Sequence, residues 1–108
     1  MIYCPSAQKD KAKPGTLNLA RVSEIDLNTT IFFIAYMRYR KLSTVADLFN
    51  CSQAKASIML RRFCDNFNEE LFDYKTRNLT PTSYAYEVHE KCEEVLSGLD
   101  CVFFHHVE

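Results

Sequence analysis

The chain has 108 residues, 47% apolar and 25% charged, with a formal net charge of -1 and only two glycines. That length allows one small domain whose modest core leaves much surface wet, so association with a partner is expected. No run approaches the roughly 20 apolar residues of a membrane-spanning helix, and no glycine-rich phosphate loop, nucleophile motif or placed carboxylate pair suggests an enzyme.

Cys4, Cys51, Cys64, Cys92 and Cys101 form an odd set without a Cys-x-x-Cys pair, and no apolar run follows Met1 that would serve as a signal peptide. Free thiols in a reducing cytoplasm are the expectation. The charge is unevenly distributed. Arg38, Arg40, Lys41, Lys55, Arg61 and Arg62 face only Asp47 in the middle of the chain, whereas Glu87, Glu90, Glu93, Glu94, Asp100 and Glu108 crowd its end against Lys91. A basic block attracts polyanions locally, within a Debye length of about 8–10 Å, whatever the total charge. It is equally compatible with an ordinary solvated face.

Residues 1–22 hold Pro5, Pro14, Gly15 and a Lys-rich run, and read as a flexible arm. Asp26 is a good N-cap, and Leu27, Ile31, Ile34 and Arg38 follow at helical spacing, with Phe33 and Met37 widening the stripe expected to be buried. A second short helix, capped by Ser43 or Thr44, is expected to bury Val45, Leu48 and Phe49. Asn50 and Cys51 then break the chain before Ser52, another N-cap. From Gln53 the apolar residues Ala56, Leu60, Phe63 and Phe67 recur at helical intervals, which leaves Gln53, Lys55, Ser57, Ile58, Arg61 and Arg62 outside. Two helices joined by a tight turn, the second presenting short polar side chains at its start, form a helix-turn-helix. Small polar residues let such a helix approach base edges in a major groove, where a glutamine can pair with adenine.

Leu71–Tyr74 and Asn78–Pro81 are short strand-like pieces around Lys75-Thr76-Arg77, read as a small β-hairpin wing or an ordinary surface loop. A cation at its tip would reach a phosphate or the minor groove. Beyond Pro81, Ala85, Val88, Cys92, Val95, Leu99 and Val102 recur at steps of three and four. This heptad seam is expected to pair with a second copy; the competing reading folds the helix back onto its own core. Gly98 weakens the helix locally. Cys92 on the seam acts as a small hydrophobe, and His89 is expected to be solvated. Phe103-Phe104 is either an apolar patch for a partner or the end of the dimer contact. Cys101, His105 and His106 lack the spaced pairs of a zinc site, so a fraying tail and no metal are expected.

The order of these residues from Ile25 to about Leu99 resembles the DNA-binding domain of LysR-type transcriptional regulators, within them the LeuO-like branch. The matching stretches are Asp26-Leu27 to Phe33, Val45-Ala46-Asp47-Leu48, Ser52-Gln53-Ala54-Lys55-Ala56-Ser57 against the family's Ser-Gln-Pro-Ala-x-Ser, Leu71-Phe72, and Leu79-Thr80-Pro81-Thr82. The resemblance covers about two-thirds of the chain.

It implies a mainly α fold: a winged helix-turn-helix over 23–81, then a linker and dimerisation helix with a tail over 82–108. It also implies DNA contacts at Gln53, Ala54, Ser57 and Arg77. With the residue reading, the expected DNA-binding set is Ser52, Gln53, Ala54, Lys55, Ser57, Ile58, Arg61, Arg62, Lys75 and Arg77, and the expected dimer interface is Ala85, Val88, Cys92, Val95, Leu99 and Val102. Ile58 and Tyr74 stand where the family carries arginines, and Ala54 replaces its proline; two lost cations lower affinity and flatten its salt dependence. The family's two-lobed effector domain has no counterpart before Glu108, so the expectation is either an excised domain or a small protein with only the reading head and dimer arm, with no small-molecule effector or cofactor. The partners expected are double-stranded DNA, with an inverted-repeat or A·T-rich site, and a second copy. The alternative is an interaction protein that pairs with other regulators through the seam and disables them.

Overall fold

The computed structural model describes residues 16–75 and 79–104. These residues form five helices, α1 (Leu19–Val22), α2 (Leu27–Tyr39), α3 (Leu42–Leu48), α4 (Gln53–Cys64) and α5 (Ser83–Phe104), and between α4 and α5 the strands β1 (Phe72–Asp73) and β2 (Thr80–Pro81) pair; α2 to α5 and the strand pair enclose the core. The expected arm is therefore partly helical: Asn18 caps α1 by accepting the Arg21 N–H at 3.1 Å, although α1 buries nothing. Lys9, Lys11 and Lys13, the Lys-rich run of the arm, lie outside the described residues.

α2 starts where Asp26 places it. The Asp26 carboxylate accepts the N–H groups of Asn28 and Thr29, at 3.0 and 3.4 Å. The hydroxyls of Thr29 and Thr30 donate back to the Asp26 carbonyl at 2.9 and 3.0 Å, so these two buried polar side chains are satisfied. The face that α2 buries differs from the expected stripe. Thr29, Thr30, Phe32, Phe33, Ala35, Tyr36 and Met37 turn inward, while Leu27, Ile31 and Arg38 are exposed and Ile34 is half-buried. The helix is apolar nearly all round, so spacing alone says little about its inward side. The aromatic rings decide it, because each removes more area from water than an aliphatic side chain.

Phe33 is the centre of the core. Its ring stacks on Phe63 of α4 at 4.4 Å between centroids and meets the edges of Phe72 and His89 at 6.1 and 6.2 Å. One side chain thus touches α4, the wing and α5. α3 begins one turn earlier than expected, with Lys41 at its N-cap position and Ser43 and Thr44 inside the helix. It buries Val45 and Ala46; Leu48 is instead 55% exposed, and Phe49 is half-buried against Phe32.

The wing strands run antiparallel with Phe72 opposite Pro81 and Asp73 opposite Thr80. Leu71 and Phe72 sink into the core, which fixes the hairpin base. Thr82 then joins wing to helix: its hydroxyl donates to the Glu70 carbonyl at 2.8 Å and accepts the Ala85 N–H, at the start of α5, at 3.2 Å. No helix among the described residues is long and apolar enough to cross a membrane.

α5 divides the expected seam in two. Ala85 is fully buried in the domain's own core, and Val88 and Cys92 pack against that core. Ala85 therefore has no surface left for a partner, which corrects its assignment to the dimer interface; Val88 and Cys92 are half-buried against the same core. Val95, Leu99 and Val102 are exposed, as are Phe103 and Phe104. His89 is also corrected, since it is half-buried beside Phe33, with Nε2 at 2.8 Å from a carboxylate oxygen of Glu93.

Candidate nucleic-acid interface

The turn between α3 and α4 is built from hydrogen bonds that the local sequence supplies. Asn50 adopts φ 55°, in the left-handed region that asparagine tolerates better than most residues. Its N–H donates to the Asp47 carbonyl at 3.2 Å, and the Cys51 N–H reaches back to the Ala46 carbonyl at 2.9 Å. This paired pattern is a Schellman closure of α3. Two residues later Ser52 accepts the Lys55 N–H at 3.0 Å and opens α4. A helix end and a helix start therefore share four residues, 49–52, and α4 leaves at a fixed angle to α3.

α4 seats its underside on α2 through Ala56, Leu60 and Phe63, all buried. The opposite side carries Gln53, Ala54, Lys55, Ser57, Ile58, Arg61 and Arg62, all exposed, and Ser52 at its N-cap is exposed as well. Gln53, Ser57 and Arg61 repeat every fourth residue and form one ridge; Ala54 and Ile58, the latter 52% exposed, form the next. Small side chains at the start and cations towards the end are the pattern by which a helix can enter a groove at its N-terminus with its last turn near phosphates. Phe67, expected on the helix, lies past its end and is half-buried against Phe63 at 5.1 Å.

The wing contributes Lys75, which is exposed; Arg77 lies outside the described residues. Tyr74 sits at the foot of the hairpin and is hydrogen-bonded to Cys64 at the end of α4. Burial pushes the Cys64 thiol up to about 11, and burial likewise raises the Tyr74 hydroxyl. Both stay protonated near neutral pH, and the contact links wing to helix without charge.

Two arginines of the central basic block have intramolecular duties that sequence spacing did not reveal. Arg38 on α2 pairs with Glu93 on α5, 55 residues away in the chain. Arg40 turns to the wing, where its guanidinium donates to the Leu79 carbonyl at 3.0 Å. Lys55, Arg61, Arg62 and Lys75 remain as the exposed cations beside the α4 ridges and on the wing. Among the described residues no group of three or more His, Cys, Asp or Glu side chains is placed to hold a metal; His105 and His106 lie outside them.

A helix-turn-helix with a two-stranded hairpin behind its second helix defines a winged helix-turn-helix protein. Comparison with known proteins narrows this. The chain is 27% identical over 92 residues to the HTH-type transcriptional regulator LeuO of Escherichia coli (strain K12), covering 85% of this chain and 29% of that one. It is 38% identical over 65 residues to nodulation protein D of Rhizobium leguminosarum bv. trifolii, covering 60% of this chain and 20% of that one. Among solved structures, the probable transcriptional regulator PA0477 from Pseudomonas aeruginosa superposes with a TM-score of 0.63 at 27% identity, over 72% of this chain and 26% of that one. The BenM DNA-binding domain in its complex with benA site 1 DNA shares the fold, with a TM-score of 0.66 at 17% identity, over 72% of this chain and 88% of that one. No family model matches the chain. In sequence and fold the chain is similar to the winged helix-turn-helix domains of LysR-type transcriptional regulators. It spans 20–31% of the length of the curated relatives it matches.

Proposed function

We propose that this domain binds double-stranded DNA, with α4 in the major groove and the wing on the flanking backbone, and that it regulates transcription as a homodimer paired through the distal half of α5. The observation that carries the reading is the division of α4 into a buried underside and an exposed face of Gln53, Ala54, Ser57, Ile58 and Arg61. Ser52, Lys55, Arg62, Lys75 and Arg77 complete the proposed contacts, mostly to phosphate. Pairing is supported by the apolar surface that α5 leaves open. Val95, Leu99 and Val102 are exposed; on another side of α5 a groove of about 440 Å³ opens towards α2, lined by apolar residues such as Ile31, Leu48 and Leu96 and by the charged Arg38, Glu93 and Asp100. Two antiparallel copies would present two copies of α4 to one face of a duplex, as an inverted repeat requires.

The test is a gel-shift titration of a promoter library at several salt concentrations. Binding that weakens linearly with the logarithm of salt concentration is expected; no shift at the lowest salt ends the proposal. A second reading draws on the exposed Ile58, which puts a hydrocarbon where a cation would raise affinity. In that reading the same α5 surface pairs with other regulators and disables them, and co-purification of a different regulator in place of a second copy distinguishes it.

A further inference from the structure

Arg40 ends α2 at φ 57° and ψ 28°, in the left-handed region where glycine or asparagine is the ordinary occupant and a longer side chain is strained. Its backbone N–H closes the helix by donating to the Tyr36 carbonyl at 2.7 Å, a duty glycine performs without strain. Helix capping therefore gives no reason for an arginine here. The side chain does. Its Nη2 donates to the Leu79 carbonyl at 3.0 Å, and its guanidinium carbon lies 5.9 Å from the centre of the Tyr36 ring. The Tyr36 hydroxyl points at the same Leu79 carbonyl, at 3.5 Å, and the Tyr36 ring meets the edge of Phe72 at 5.5 Å. Leu79 is the residue immediately before β2, and Phe72 opens β1. The C-terminal end of α2 thus holds the base of both wing strands.

We propose that Arg40 is a positioning residue for the wing: it sets where the hairpin, with Lys75, stands relative to α4. This rests on the reading of α4 and the wing as one DNA interface. A planar guanidinium suits the task because it lies over an aromatic face while donating in its own plane; an ammonium is a point charge that offers no such fork. Arg40 belongs to the basic block by sequence, yet its hydrogen bond is spent inside the protein. On this proposal its contribution to DNA affinity runs through the wing cations and not through a phosphate of its own.

The experiment uses the full chain and compares it with Arg40→Gly, Arg40→Lys, the double wing variant Lys75→Ala/Arg77→Ala, and that double variant combined with Arg40→Gly. Deuterium exchange without DNA follows the 70–82 segment, and fluorescence anisotropy follows binding to a labelled mixed-sequence duplex. In Arg40→Gly the melting temperature is expected to hold, because backbone strain is relieved, while the 70–82 segment loses protection. DNA affinity is expected to fall about fivefold, the worth of one hydrogen bond. Arg40→Lys does not restore it, and the loss vanishes once the wing cations are gone. Unchanged protection of 70–82 overturns the proposal, as does a loss that Arg40→Lys repairs or that adds in full to the wing variant, since both mark a direct phosphate contact. A lower melting temperature with protection lost equally across α2 and α5 would make Arg40 merely structural. Should the wild-type chain not bind the duplex at low salt, the DNA reading fails, while the exchange data still decide whether Arg40 holds the wing.

Discussion

Replacing Ile58 with arginine tests the orientation of α4 by addition instead of by damage. Ile58 sits on the outer ridge of α4, 52% exposed, one turn beyond Ala54 and four residues before Arg62. An arginine there extends into solvent along the same ridge, and the side chain removed contributes nothing to the buried core. Folding stability should change by no more than about 0.5 kcal/mol, as for other surface substitutions. If α4 faces a phosphate backbone, one further cation displaces one further counterion, which steepens the slope of log K against log salt by about 0.9. Between 50 and 200 mM salt the variant should therefore lose about 3.5-fold more affinity than the wild type, from a higher affinity at the low-salt end. Anisotropy titrations at four or five salt concentrations measure this slope directly, with urea denaturation as the control. An unchanged slope, with stability intact, would refute the placement of Ile58 against DNA. A stability loss above about 1 kcal/mol would show instead that the residue is packed and the outward face wrongly assigned.

Phe33→Ala empties the position where α2, α4, the wing and α5 meet, and should cost about 3–5 kcal/mol in urea denaturation; a loss below about 1 kcal/mol would mean the core is centred elsewhere. Val95→Asp places a carboxylate on the exposed distal half of α5, 40% exposed in the wild type, and should dissociate the proposed dimer without unfolding the domain. Analytical ultracentrifugation paired with circular dichroism checks both halves of that statement, and a dimer that survives relocates the interface. Alkaline pH should destabilise the fold in a defined window. Burial raises the Cys64 thiol from 9.0 to about 11, and it raises Cys92 as well, so both fold as neutral thiols. A group with a raised folded value contributes stability that is intact below the unfolded value and lost as pH climbs through the folded one, here from about 9 to about 11. Thermal melts across that window should fall, less steeply in Cys64→Ala; an identical slope in that variant would remove Cys64 as a cause.

The local sequence determined where α2 and α4 begin and how the turn between α3 and α4 closes, because caps and turns are settled by neighbours a few residues apart. Asp26 and Ser52 open α2 and α4 by accepting N–H groups two or three positions on. Asn50 enters the left-handed region as a short polar residue can. The buried and exposed sides of α4 were legible for the same reason: Ala56, Leu60 and Phe63 alternate with polar residues, so the helix has one side fit to bury. α2 lacked that contrast. With apolar residues all round, its inward side was chosen by which rings met Phe63, Phe72 and Phe49 across the core, and Ile31 and Leu27 were left outside.

Tertiary packing alone also divided the α5 stripe. A repeat of threes and fours states that a helix has an apolar edge but is silent on what covers it. The chain's own core takes Ala85, Val88 and Cys92 because the buried wing base and the Thr82 cap dock the start of α5 there, and the exposed remainder begins where that core ends. The roles of Arg38 and Arg40 were equally invisible, since their partners Glu93 and Leu79 lie 55 and 39 residues further along the chain. Charge composition counts such residues as free cations, and only the folded arrangement shows which of them are occupied.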